Sequence, residues 1–230
     1  MKRVSATIFK QLIFFHHNVF VLGRATCFLA VIVTLGIGCG KKVLTPTEYV
    51  TWIENADNGI RIERTNDRFK YQLQLKPPLY IVIRERTGQL HSLDELAGYA
   101  KEFDNLQYFT LKIAQRGEPS SSAESIQHFD ADMNYLSYGF QNDIRLIDGC
   151  DTLPCILFHH ENTGGLTSYD VFSLAFDSSQ YPDKDISTKS SLCPNAKKIL
   201  INSSEHSELN MELSLDGKNL HELKSIQIAF

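Results

Sequence analysis

The segment Phe69-Lys70-Tyr71-Gln72-Leu73-Gln74-Leu75 alternates between apolar and polar residues without a fault. A period of two sends successive side chains to opposite faces, so this run predicts a strand with one face in a core and one in water. Residues 60–64 read as its hairpin partner, joined through the turn-rich Thr65-Asn66-Asp67-Arg68. Pro77-Pro78 interrupts the ladder, and the apolar run 79–83 then reads as a more buried strand. Further strands are expected at 108–114, 143–148, 155–160, 170–176, 198–202, 209–215 and 223–230. Leu209, Met211, Leu213 and Leu215 alternate into Asp216-Gly217, a turn signal.

Helical spacing is sparser. Thr45 is placed to cap a helix whose first residue is Pro46, with Tyr49, Trp52, Ile53 and Ala56 on one side and Asn58-Gly59 as the stop. Tyr49 and Trp52 read as core residues ahead of an exposed aromatic patch. Ser92 and Glu95 form a capping box ahead of Leu93, Leu96, Ala97, Ala100 and Phe103. Ile126, Phe129 and Met133 suggest a short helix towards Leu136, and residues 116–125 and 177–195 read as loops. The strands are not separated by regular helices, which argues against a doubly wound parallel sheet. The pattern predicts an α+β fold: a mainly antiparallel sheet with two or three helices packed on it, in a single domain over 46–230.

Composition adds scale and sign. The chain has 230 residues, 43% hydrophobic and 22% charged, enough for one domain with a real core. Its first 38 residues carry Lys2, Arg3, Lys10 and Arg24 and no acid, so the remainder holds 19 of the 23 basic residues against all 27 acids. An acidic body lacks the basic face that a nucleic-acid partner requires. No phosphate-binding loop, dinucleotide fingerprint, His-Glu-x-x-His or nucleophile elbow is present, and no cofactor is expected.

The amino-terminal part carries an address. Arg24 precedes a charge-free apolar run that ends in Gly36, Ile37, Gly38 and Cys39. A basic start, an apolar middle and small residues at the end are the parts of an export signal. Leu35-Gly36-Ile37-Gly38-Cys39 resembles the lipobox of bacterial lipoproteins, in the looser form found in Bacteroidetes, with Gly36 where Leu is usual. The resemblance implies that 1–38 is a signal peptide, that the Cys39 thiol is acylated by a fatty acid such as palmitate, and that 39–45 is a lipid-anchored tether. It places the protein in the cell envelope, held on the outer membrane by the lipid. Gly40-Lys41-Lys42, with no acid before Glu48, leans towards a periplasm-facing anchor. The alternatives are an uncleaved single-pass span over residues 19–38, or a buried helix.

Chemistry-bearing residues crowd into 148–165, with Cys150, Asp151, Cys155, His159, His160 and Glu161. Three uses compete with plain packing. An exported chain favours a disulfide among Cys150, Cys155 and Cys193. Cys150, Cys155 and His159 are weak candidate zinc ligands, and on a strand His159 and His160 point to opposite faces. Cys155 with a histidine base would make a nucleophile, the basis of an envelope-enzyme alternative. Asp130 and Asp132 with Glu124, and the pair Gly164-Gly165, are weaker candidates, read respectively as a solvated face and a turn. The expected function is a lipid-anchored envelope protein whose domain binds or scaffolds an envelope partner or ligand without catalysis.

Overall fold

In the computed structural model, the described residues are 42–86, 88–116, 133–161, 169–179 and 195–230. The signal segment, Cys39, Cys193, Gly164-Gly165 and the Glu124, Asp130 and Asp132 group lie outside them. Val43–Phe230 is one compact unit. Its elements are β1 (Val43–Leu44), α1 (Pro46–Glu54), β2 (Arg61–Thr65), β3 (Phe69–Lys76), α2 (Pro78–Glu85), α3 (Leu93–Ala100), β4 (Leu106–Gln115), β5 (Ile144–Asp148), β6 (Asp151–Glu161), β7 (Asp170–Asp177), β8 (Lys197–Ile201), β9 (Met211–Leu215), α4 (Gly217–Ser225) and β10 (Gln227–Ile228). A π-helix (Tyr135–Gly139) and a 3-10 turn (Phe140–Asp143) lead into β5.

Eight strands form one antiparallel sheet in the order β2-β3-β4-β7-β6-β5-β8-β9, and β1 pairs with β10 in parallel. The α+β class and the antiparallel sheet follow the sequence pattern, but the described residues hold four α-helices where two or three were expected, because 78–85 and 217–225 read as strand and turn. The curl of the sheet does not follow that pattern: its two ends, β2 and β9, come alongside each other, so it is nearly a barrel. Hydrogen bonds cross that seam. Asn66 donates its amide to the Glu208 carbonyl at 3.0 Å, and the Tyr71 hydroxyl donates to the Leu209 carbonyl at 3.1 Å. A curled sheet hides the strand edges that would otherwise invite pairing with other chains.

One face of every long strand fills the interior. Tyr71, Leu73 and Leu75 of β3 lie across from Ile113, Leu111 and Phe109 of β4, and in turn Leu111 faces Phe172 and Phe109 faces Leu174 of β7, with Phe176 beyond them opposite Gln107. Ile144, Leu146, Leu153, Ile199, Ile201, Leu213 and Leu215 complete the core from the other half of the sheet. The fixed register puts Ile113, Asp170 and His160 at one end of this interior, and Gln107, Asp148 and Lys197 at the other.

The helix ends show how local chemistry sets boundaries. Thr45 and Glu48 make a reciprocal capping box, with Glu48 N–H donating to Thr45 Oγ1 at 3.3 Å and Thr45 N–H donating to the Glu48 carboxylate at 2.8 Å. Tyr49 and Trp52 of α1 are buried in the core, as their spacing suggested. Ser92 caps α3 as expected, but the Glu95 carboxylate accepts from His91 N–H rather than from Ser92.

One expected strand and one expected turn belong to helices. Residues 79–83 belong to α2, because Pro78 suits a first helical position and Tyr80, Ile81, Val82 and Ile83 are all buried. A short apolar run buried all round carries no periodicity to tell helix from strand. The Asp216-Gly217 pair is likewise a helix start and not a hairpin turn. Asp216 accepts from Lys218 N–H at 2.8 Å and opens α4, leaving only Gln227–Ile228 of the expected 223–230 strand extended. The helix expected towards Leu136 continues as the π-helix over its described part.

Gly59 closes the turn after α1 with φ of +67°, and a Cβ there would stand 1.9 Å from the Asn219 side chain of α4. The left-handed backbone favours glycine, and any side chain there would also have to displace the Asn219 amide. Gly59→Ala is therefore expected to lower stability by about 1–3 kcal/mol, read as a lower denaturant midpoint with unchanged m-value.

Candidate functional site

The crowded stretch 148–161 becomes the hairpin of β5 and β6. Asp148 pairs with Asp151 across Gly149-Cys150, and Gly149 takes the positive φ, 65°, that this tight connection needs. Cys150 is exposed at the tip and is disulfide-bonded, to a partner outside the described residues. Cys155 is not part of that bond. It is a free, buried thiol that faces the core and donates to the Leu157 carbonyl at 3.1 Å. Burial pushes its pKa up to about 11, so at neutral pH it is neither a thiolate nucleophile nor a ready metal ligand.

A β-bulge decides which histidine joins the interior. The register of β6 against β7 slips between Cys155 and Leu157, so Cys155 faces Phe176 and Phe158 faces Leu174 with two residues between them instead of one pair. Ile156 and Leu157 are both left on the outside, 48% and 44% exposed. Strict alternation would have put Cys155 and His159 on the same face. With the bulge, His159 points out opposite Ser173 and His160 points in opposite Phe172. Cys150, Cys155 and His159 therefore occupy a loop tip, the core and the outer face, and do not converge. Among the described residues, no three His, Cys, Asp or Glu side chains gather around a common point suited to a metal ion.

His160 instead meets two residues that its sequence neighbourhood did not suggest. Its side chain is 4% exposed and lies stacked on Phe172, with ring centroids 4.7 Å apart and planes within 20°. Its Nε2 is 3.0 Å from Asp170 Oδ1, and its Nδ1 is 3.2 Å from Ser137 Oγ. Asp170 is the first residue of β7 and Ser137 lies in the π-helix, so three elements bring this line together. A carboxylate only accepts, so Nε2 donates to Asp170, and in the neutral imidazole Nδ1 is the nitrogen left to accept from the Ser137 hydroxyl.

The π-helix that carries Ser137 is itself pinned. The Tyr135 hydroxyl donates to Asp143 Oδ2, and its ring lies 4.1 Å from that of His206, whose Nδ1 is 3.5 Å from Glu208. Burial, then the Asp143 bond, raise the Tyr135 pKa far above that of a free phenol. Gly139 allows the tight fit, since a Cβ there would come within 2.8 Å of the Tyr135 ring. The opposite end of the interior is closed by a different polar group. Gln107 Nε2 donates to Asp148 Oδ2 at 2.8 Å, and Lys197 Nζ donates to Gln107 Oε1 at 2.7 Å and also reaches Asp148. That group joins β4 to β5 and β8 through the interior and is structural in form: every member is spent on another.

No protein family and no curated protein matches the chain. Among solved structures, a DUF4426-family protein from Pseudomonas aeruginosa is similar over 67% of this chain and 90% of its own, at 8% identity and a TM-score of 0.29.

Cys155 is expected to resist iodoacetamide in the native protein at pH 8 and to react fully in denaturant, read by intact mass. The folded state holds its thiol above the unfolded pKa of 9.0, so that part of the stability is intact below pH 9.0 and lost as the pH rises through about 11.

Proposed function

We propose that this chain is an exported, lipid-anchored cell-envelope protein whose α+β domain binds or scaffolds a partner at the membrane surface. The observation that carries the reading is the lipobox-like run ending in Cys39, directly behind a charge-free apolar segment. The disulfide at Cys150 supports it, because such bonds persist in the oxidising compartment to which that signal would send the chain. The tether would be short. Val43 begins β1 four residues after Cys39, a span of at most about 14 Å when extended. Two or three acyl chains would then hold the domain against the headgroups, where one chain would not.

A second reading, an envelope enzyme, draws on one specific observation: the alignment of Ser137, His160 and Asp170. It no longer runs through Cys155, whose thiol is buried.

In a bacterial host fed an alkyne fatty acid, the wild-type chain is expected to take up label and to partition with membranes, and Cys39→Ala to lose both. Label that persists in Cys39→Ala would sink the lipoprotein reading, and membrane partition of the wild type without label would sink it in favour of an uncleaved anchor.

A further inference from the structure

We propose that Ser137 is the nucleophile of an acyl-ester hydrolysing site, with His160 as its base and Asp170 as the residue that orients the base. This goes beyond the anchored-domain reading and does not depend on the lipid. Three observations carry it. The first is the unbroken line from Ser137 Oγ through Nδ1 and Nε2 of His160 to Asp170 Oδ1, at 3.2 and 3.0 Å. A nucleophile within hydrogen-bond reach of a base, itself oriented by a third group, is the arrangement that activates a hydroxyl. Here the ring nitrogens exchange their more familiar roles, with Nδ1 as the base. The carboxylate fixes the tautomer that makes this possible, and the Phe172 ring fixes the imidazole plane.

The second observation is the gradient of exposure along the line. His160 is dry, 4% exposed at its side chain, whereas Ser137 is half-buried and its neighbour Tyr138 is 82% exposed. The hydroxyl thus sits where the shielded base meets the surface. The third is the π-helix. Phe140 N–H bonds back to the Tyr135 carbonyl, a widened turn that is rare and concentrates at functional sites. Tyr135, Asp143, His206 and Gly139 hold it in place, which is more support than a surface serine needs.

The surroundings select the substrate class. Asp170 puts a carboxylate on this line and Asp143 puts another on Tyr135, two residues before Ser137, so a phosphate or sulfate ester would meet like charge. Exposed Tyr138, next in sequence to Ser137, suits an uncharged carboxylic ester with an apolar acyl group. Ser137 Oγ adds to the acyl carbon while its proton passes to His160 Nδ1. The ester C–O bond breaks and the alcohol leaves with that proton. Water, losing a proton to the same Nδ1, then adds to the acyl carbon; the acyl–Oγ bond breaks, the acid leaves, and Nδ1 returns the proton to Ser137 Oγ. The balance is ester plus water to acid plus alcohol, and no other reactant is needed.

The test uses the full chain in detergent with a fluorophosphonate probe and short-chain p-nitrophenyl esters. An adduct on Ser137 by peptide mapping is expected, together with ester turnover that falls at least about 100-fold in Ser137→Ala and in His160→Gln. Asp170 is a positioning residue: Asp170→Asn should lower kcat with KM little changed and displace the pH profile of kcat. Circular dichroism confirms that each variant is folded, and Ser137→Cys, close in size, supplies a second probe through its reaction with iodoacetamide. Absence of a Ser137 adduct in folded protein, at a probe level that labels a control serine hydrolase, overturns the proposal. So does ester turnover that survives in Ser137→Ala. Either result would leave the line as a structural hydrogen-bond chain, and neither bears on acylation of Cys39.

Discussion

The slip between Cys155 and Leu157 in β6 is the constraint on which the rest of the interior depends. One strand serves two partners: its first half pairs with β5 and its second with β7. A flat strand could not turn that corner. The extra residue bends it and raises the local twist, which lets an eight-stranded sheet curl until β2 meets β9. Gln141 stabilises the bend by donating its amide to the Cys155 carbonyl at 2.9 Å, so the 3-10 turn and the bulge are fixed together. The same slip reverses the facing of every later residue in β6, and so turns His160 inward and His159 outward.

An interior closed in this way has two ends, and each carries polar groups that must be satisfied. Leaving one buried donor or acceptor unpaired costs about 1–3 kcal/mol, more for a charge. At one end, Gln107, Asp148 and Lys197 satisfy one another and tie the two halves of the sheet across the core. At the other, Asp170 and His160 satisfy each other, and the second ring nitrogen meets Ser137. The first group is closed on itself and the second ends in a hydroxyl near the surface. That difference in termination, more than residue type, separates a structural clasp from an arrangement with chemical potential. The aromatic side chains between them form a stacked and edge-on set, Phe140, Phe158 and Phe172, that holds the imidazole in a single plane.

The cysteines divide by position. Cys150 sits at an exposed hairpin tip, where a bond can form without disturbing packing, and Cys155, five residues on, is a small core residue whose sulfur bonds to backbone. Their closeness in sequence had suggested a shared disulfide, a shared metal or a nucleophile. The hairpin separates them because a strand advances about 3.3 Å per residue, so a few positions along β6 lead from water into the core.

Where structure follows from local spacing, the chain alone determined it. The alternation of β3, the caps at Thr45 and Ser92, the burial of Tyr49 and Trp52, and the α+β class with an antiparallel sheet all rest on residues within one turn or one strand of each other. Tertiary structure decided what depends on neighbours distant in sequence. Residues 79–83 became a helix because every side of them is covered, which no periodicity records. Asp216 became a helix cap because the chain packs onward instead of folding back. Ser137, His160 and Asp170 are 23 and 10 positions apart, on a π-helix and two strands, and a single inserted residue in β6 sets which histidine faces them. A period of two is a local rule. One bulge shifts its phase, and only contact with β7 fixes where that shift falls.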